Sequence, residues 1–178
     1  MITASPTFKR STYTSYHRAP ARPKTTTRTF ADDPFFARFG HRLPAGLRDE
    51  ARNMQWRTFM ATYAPDPDMR LHLGEVTKLR GTHDEYHATL STPTASGRET
   101  TELSIIASGP VSAATHLLAD AGRRVEILRF HQYEIFESTA TFILVAHNRK
   151  RHWALGFGST KNQSAASALS TAAYLLHR

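Results

Sequence analysis

From residue 70 onward, the apolar residues of this 178-residue chain follow a period of two, then a period near 3.6, and then repeat that order. His87 and Thr89 alternate with Tyr86, Ala88 and Leu90, the pattern of a half-buried strand. Thr94-Ala95-Ser96-Gly97 reads as a turn, after which Leu103, Ile105 and Ala107 alternate again. Ahead of them, Leu71 and Leu73 share one face of a strand running to Leu79, with Gly74 expected to mark a bulge. Pro110 suits the first turn of a helix, where its missing N–H costs nothing. Val111, Ala114, Leu117, Leu118 and Ala121 then form one apolar stripe, and Gly122 stands where a C′ glycine belongs.

The same order restarts at Val125 and Ile127, whose strand extends through Phe130 towards Ile135. Thr139 to Ala146 is β-branched and aromatic, Asn148-Arg149-Lys150 is a polar turn, and Trp153, Leu155 and Phe157 alternate. Gly158-Ser159-Thr160 breaks that strand, and Ala165, Leu169, Ala172, Ala173 and Leu176 form a last helical stripe. The expected fold class is therefore α+β: two pseudo-symmetric β-β-β-α units, 70–122 and 123–178, sharing one core. Each unit alone has one apolar sheet face and one apolar helix stripe, so packing the two together closes the interior.

Upstream, residues 31–68 read as a helical linker segment. Asp32-Asp33-Pro34 predicts a turn or helix start, and Leu43-Pro44 opens a helix through Glu50 and Ala51. Trp56, Phe59, Met60 and Tyr63 recur at three- and four-residue steps, and Pro65-Asp66-Pro67-Asp68 ends that helix. Residues 1–30 show no apolar period and are rich in Ser, Thr, Pro and Arg, which predicts a disordered basic tail. Lys9, Arg10, Arg18, Arg22, Lys24 and Arg28 supply six of the net eight positive charges, with no Asp or Glu beside them. Such a start also fits a transit peptide, but a bacterial cytoplasmic tail is the preferred expectation.

No run approaches the roughly 20 apolar residues of a membrane helix. The Phe142-Ile143-Leu144-Val145-Ala146 run is strand-sized, so a soluble protein without a membrane partner is expected. The absence of cysteine excludes disulfides, thiolate nucleophiles and Cys-based zinc sites.

Several segments resemble a known family. Ser108-Gly109-Pro110-Val111-Ser112-Ala113 resembles the Gly-Asn-Gly-Pro-small-x-Ala lead-in to the first helix of the C-terminal regulatory domain of α-isopropylmalate synthase. The run Val125-Glu126-Ile127-Leu128-Arg129-Phe130-His131-Gln132-Tyr133 resembles its next strand, Val-x-Val-Leu-Asp-Tyr-x-Glu-His. Trp153-Ala154-Leu155-Gly156-Phe157 resembles Trp-Gly-Val-Gly-Ile, and Ser164 to Arg178 resembles its Ala-rich terminal helix. The likeness covers roughly 43–178 and includes the helical segment that precedes this domain.

The resemblance implies a leucine-sensing and dimerising module of leucine biosynthesis, without the family's catalytic TIM barrel and its His-x-His metal pair. It implies no catalytic residue, no metal and no cofactor. The implied partners are a leucine-like amino acid and either a second copy or a full-length synthase. By position it implies a ligand site at Ala107, Gly109, Val111, Ile127, Phe130, Glu134, Ser138 and Ala140. The helix starts near Gly109-Pro110 and Ser159-Thr160 would offer free amides to a carboxylate. Departures fall at Ala107 for Gly, Ser108 for Asn, Arg129 for Asp and Glu134 for a small residue. They leave open another small ligand, or none.

Other chemistry is weaker. His83 and His87, four apart in an expected strand, would share a face, but solvated histidines are the expectation. Gly156-Phe157-Gly158-Ser159-Thr160-Lys161 lacks P-loop spacing and reads as a tight strand-to-helix turn. His147-Asn148-Arg149-Lys150-Arg151-His152 is a basic hairpin tip, read as a solvated turn. Two alternatives stand beside the regulatory reading. One is a nucleic-acid-binding module driven by the basic tail. The other is an inactive, truncated synthase paralogue. A double-stranded-RNA-binding fold fits less well, because neither expected helix carries a lysine cluster.

Overall fold

The computed structural model describes residues 31–178, so the expectation of a disordered tail lies outside the described residues. The described chain opens with three short helices, α1 (Phe36–Phe39), α2 (Ala45–Glu50) and α3 (Trp56–Tyr63). Asp33 organises their start: its Oδ1 accepts the amides of Phe35 at 3.1 Å and Phe36 at 2.9 Å. Its Oδ2 accepts the Leu43 amide at 2.9 Å. One nearly buried carboxylate thus ties the first turn to the chain before α2. Replacing it leaves three amides without that acceptor. Asp33→Ala is expected to lower stability by about 1–3 kcal/mol, read from the urea midpoint.

The first repeat follows as β1 (Arg70–Lys78), β2 (Asp84–Thr94), β3 (Gly97–Ala107) and α4 (Pro110–Asp120). The second is β4 (Glu126–Ile135), β5 (Ser138–His147), β6 (Lys150–Gly158) and α5 (Lys161–His177). Each strand triplet is an antiparallel meander in its own sheet, ordered β1-β2-β3 and β4-β5-β6. The fold is mixed α+β, with the expected element order present twice. α4 ends in a Schellman closure, as Gly122 predicted: its φ is 76°, its amide bonds Ala119 O, and the Arg123 amide bonds Leu118 O.

The layers follow from which side chains meet. Leu71, Leu73, Ala88 and Leu90 of the first sheet share one core with Ile143, Val145 and Ala154 of the second. Between them lie Leu117 and Leu118 of α4 and Ala168, Leu169, Ala172 and Leu176 of α5. α5 is therefore enclosed by the two sheets, and α4 packs beside it against the first sheet. The other face of the second sheet is also covered, because Ala140, Phe142, Leu144, Trp153 and Leu155 pack under Phe35, Leu43, Leu47, Phe59 and Tyr63. The segment read as a linker is thus a layer of the structure.

Three expectations are corrected. The sequence predicts one apolar stripe on α5, yet Ser164, Ala166, Ala168, Ser170, Thr171 and Leu175 are buried as well, because it lies between two sheets. His83 falls before β2 rather than in it, so it shares no strand face with His87. Gly156 and Gly158 are not merely turn residues: a Cβ on Gly156 would stand 2.0 Å from Ala168 N, and one on Gly158 would stand 2.3 Å from Ser164 N. They let α5 lie directly on β6. Polar links fix the same contact region. The Ser170 hydroxyl donates to Ala166 O and accepts the Leu71 amide at 2.9 Å, and the Thr141 and Ser164 hydroxyls are hydrogen-bonded.

Both first strands carry an irregularity against their partners, β1 between Leu73 and Val76 and β4 between Ile127 and Arg129. The first agrees with the expected bulge at Gly74. The second has a consequence for side-chain direction. Ile127 pairs with Val145, which faces α5, whereas Arg129 pairs with Leu144, which faces the N-terminal helices. Without the extra residue, strand alternation would send both to one side.

Candidate functional site

The eight residues implied by the resemblance spread over three places. Ala107, Gly109 and Val111 follow one another through the β3–α4 junction. Ala107 is buried beside Tyr86 and Ala113, Gly109 precedes the first turn of α4, and Val111 packs on the inter-sheet core. Ile127 packs on that same core from β4. Phe130 pairs with Ile143 on the same sheet face but remains 40% exposed.

Glu134 and Ser138 lie at the far end of the second sheet. Glu134 pairs with Lys161 at 2.8 Å, an exposed contact that holds its carboxyl below, and the Lys161 amine above, the ordinary range. The Ser138 hydroxyl donates to Gly158 O at 3.0 Å. Ala140 is fully buried on the opposite face, under the N-terminal helices. Of the junction residues, Val111 therefore shares the inter-sheet core with Ile127, Ala107 lies in a separate small cluster, and Ala140 is separated from Val111 and Ile127 by the thickness of the second sheet.

A cleft of about 560 Å³ opens instead between α2, α3 and the outer face of the second sheet. Gly46 and Glu50 of α2, Tyr63 of α3, Arg129 of β4 and Leu144 of β5 line it, with Arg151, His152 and Trp153 of β6 and Arg178 beyond α5. The Tyr63 hydroxyl donates to Glu50 Oε2 at 3.4 Å. Burial, then the charge and hydrogen bond of Glu50, push the phenol up to about 12.

His152 reads the same surroundings. Burial and the positive charges of Arg178 and Lys150 hold its imidazole below the ordinary range, while Glu50 acts in the opposite direction. The unfolded chain therefore takes up this proton more readily than the folded one. The stability that neutral His152 contributes is complete above its unfolded pKa of about 6.5. It is lost as pH falls through the lower folded value. His152→Gln is expected to flatten the slope of stability against pH over that window, measured by urea midpoints at a series of pH values.

The basic hairpin was read as a solvated turn, but part of it is tied down. Lys150 Nζ donates to Leu176 O at 3.1 Å and Arg178 O at 3.2 Å, holding the carbonyl end of α5. The His147 and His177 rings lie 4.5 Å apart, and His177 Nε2 donates to Arg124 O. Sequence reasoning singled out Arg151 and His152 only as members of that tip. It missed Glu50, Tyr63 and Arg178 as their neighbours, because four separate segments converge there. The one available signal was Arg129, charged opposite to the residue that the resemblance expects.

Among the described residues, no group of three or more His, Cys, Asp or Glu side chains is placed to hold a metal ion. No helix among them is long and apolar enough to cross a membrane. In comparisons with known proteins, no family model and no curated protein matches the chain.

Proposed function

We propose that this chain is a regulatory module of the kind found in α-isopropylmalate synthases. It binds a small leucine-like amino acid and associates with itself or with a full-length synthase. The observation that carries this reading is the repeated β-β-β-α order, with the two units closing one shared core around α5. The start of α4 adds support. No side chain caps it at Gly109, so its first amides and the positive end of its dipole are oriented for a carboxylate. Val111 in its first turn packs on the inter-sheet core, as Ile127 of β4 does, and both are aliphatic. On this reading the ligand rests on Ala107, Gly109, Val111 and Ile127, and Ala140 lies across the second sheet from Val111 and Ile127.

Calorimetry of the full chain with leucine, isoleucine and valine tests the sensing half. Saturable binding of at least one, weakened by Ile127→Ala, is expected. Silence from all three at millimolar ligand would remove amino-acid sensing. Sedimentation velocity tests association, where a concentration-dependent dimer is expected. A monomer at every concentration, together with calorimetric silence, would remove the reading altogether.

A further inference from the structure

The cleft between the N-terminal helices and the second sheet carries charge that the fold leaves unmatched. Arg129, Arg151 and Arg178 all line it. Among the described residues, none of the three has a carboxylate within ion-pair distance. Residues 1–30 cannot supply one, since they contain no Asp or Glu. The carboxylate on the wall, Glu50, also accepts the Tyr63 hydroxyl. Three guanidiniums thus share the cleft with one side-chain carboxylate. A guanidinium cannot shed its charge by losing a proton, so the cleft keeps a positive lining that suits an arriving anion.

The floor makes such an anion worth more than one on open surface. Trp153 is 3% exposed and Leu144 8%, so one side of the cleft is dry and apolar. An apolar floor lowers the local dielectric on that side of the cleft, while the guanidiniums themselves stay open to solvent. Arginine forks also match the paired oxygens of carboxylate and phosphate groups. Arg129 reaches this wall only because of the β4 bulge, which turns it away from Ile127. The volume is that of a small-molecule site.

We propose that this cleft binds a small anion carrying two or more carboxylate or phosphate groups, held by Arg129, Arg151 and Arg178 over Trp153. The site is separate from the α4 junction. Leucine binding without anion binding would remove this proposal and leave the regulatory reading intact.

Calorimetry of the full chain at fixed ionic strength, with inorganic pyrophosphate and with citrate, provides the test. One site per chain is expected for at least one probe, with Kd below about 1 mM. The Arg129→Gln/Arg151→Gln double variant is expected to bind about tenfold more weakly or worse. Both arginines are exposed, and unchanged thermal melting would show that the variant folds. An Arg80→Gln/Arg124→Gln variant removes the same charge from exposed positions outside the cleft and should bind as the wild type does. Saturation by pyrophosphate alone assigns phosphate chemistry, and saturation by citrate alone assigns carboxylate chemistry. The proposal is overturned if neither probe saturates below about 10 mM, or if both double variants weaken binding equally. It is also overturned if a single-stranded oligonucleotide binds through Arg129 and Arg151 while neither small anion does.

Discussion

Gly156→Ala is expected to abolish folding or to lower stability by about 3 kcal/mol or more. The added methyl would stand 2.0 Å from Ala168 N and 2.6 Å from both Ala168 Cα and Ser164 O. These are backbone atoms of α5, so no rotamer change can clear them. Relief requires moving the helix off β6, which loosens Ala165, Ala168, Leu169 and Ala172 from their close packing. Gly46→Ala is the matched control. Its nearest neighbour would be a Trp153 ring atom at 3.7 Å, an ordinary contact, and Gly46 lies inside α2. That change should be neutral or stabilising by up to about 1 kcal/mol. Urea denaturation separates the two. A Gly156→Ala protein as stable as wild type would mean that α5 does not rest on β6 in this way.

Removing residues 1–64 is the second large effect, and it bears on whether the helical segment is a linker. The truncation uncovers Ala140, Phe142, Leu144, Trp153 and Leu155, which are now between 0% and 8% exposed. It also deletes Phe35, Leu43, Leu47, Phe59 and Tyr63, their partners across the layer. At about 2 kcal/mol for each large side chain the lost burial is around 10 kcal/mol. That is the size of a whole domain's stability. The shortened chain is expected to bind hydrophobic dyes, to aggregate and to lose its cooperative melt. A monomeric product with a sharp transition would show that the cover is dispensable and that residues 70–178 stand alone.

Much of the fold was legible because local signals agreed with the tertiary outcome. Pro110 and Gly122 bracket α4, and Trp56, Phe59 and Tyr63 mark one face of α3. Alternation in Tyr86, Ala88 and Leu90 marks the buried face of β2. What alternation cannot reveal is a strand covered on both sides. The Phe142-Ile143-Leu144-Val145 run is that case: Ile143 and Val145 face α5 while Phe142 and Leu144 face the N-terminal helices. Nor does a period predict its own interruption. The bulge before Arg129 leaves no mark in composition, so the side that Arg129 faces was legible only in the backbone register. The candidate ligand residues were legible as chain positions. Their separation by a sheet was not, because it depends on which face Ala140 takes.

The two sheets differ in how much covers them, and this sets a gradient of local opening. β5 is buried from Thr139 to Val145, whereas β3 is exposed from Gly97 to Glu102. Amide exchange should therefore be slowest in β5, where release of a proton requires opening of the whole domain. In β3 it should proceed through fluctuations that leave the rest intact. Deuterium uptake by mass spectrometry would then show the second repeat as the persistent half of the molecule and the outer strand of the first as the part that breathes.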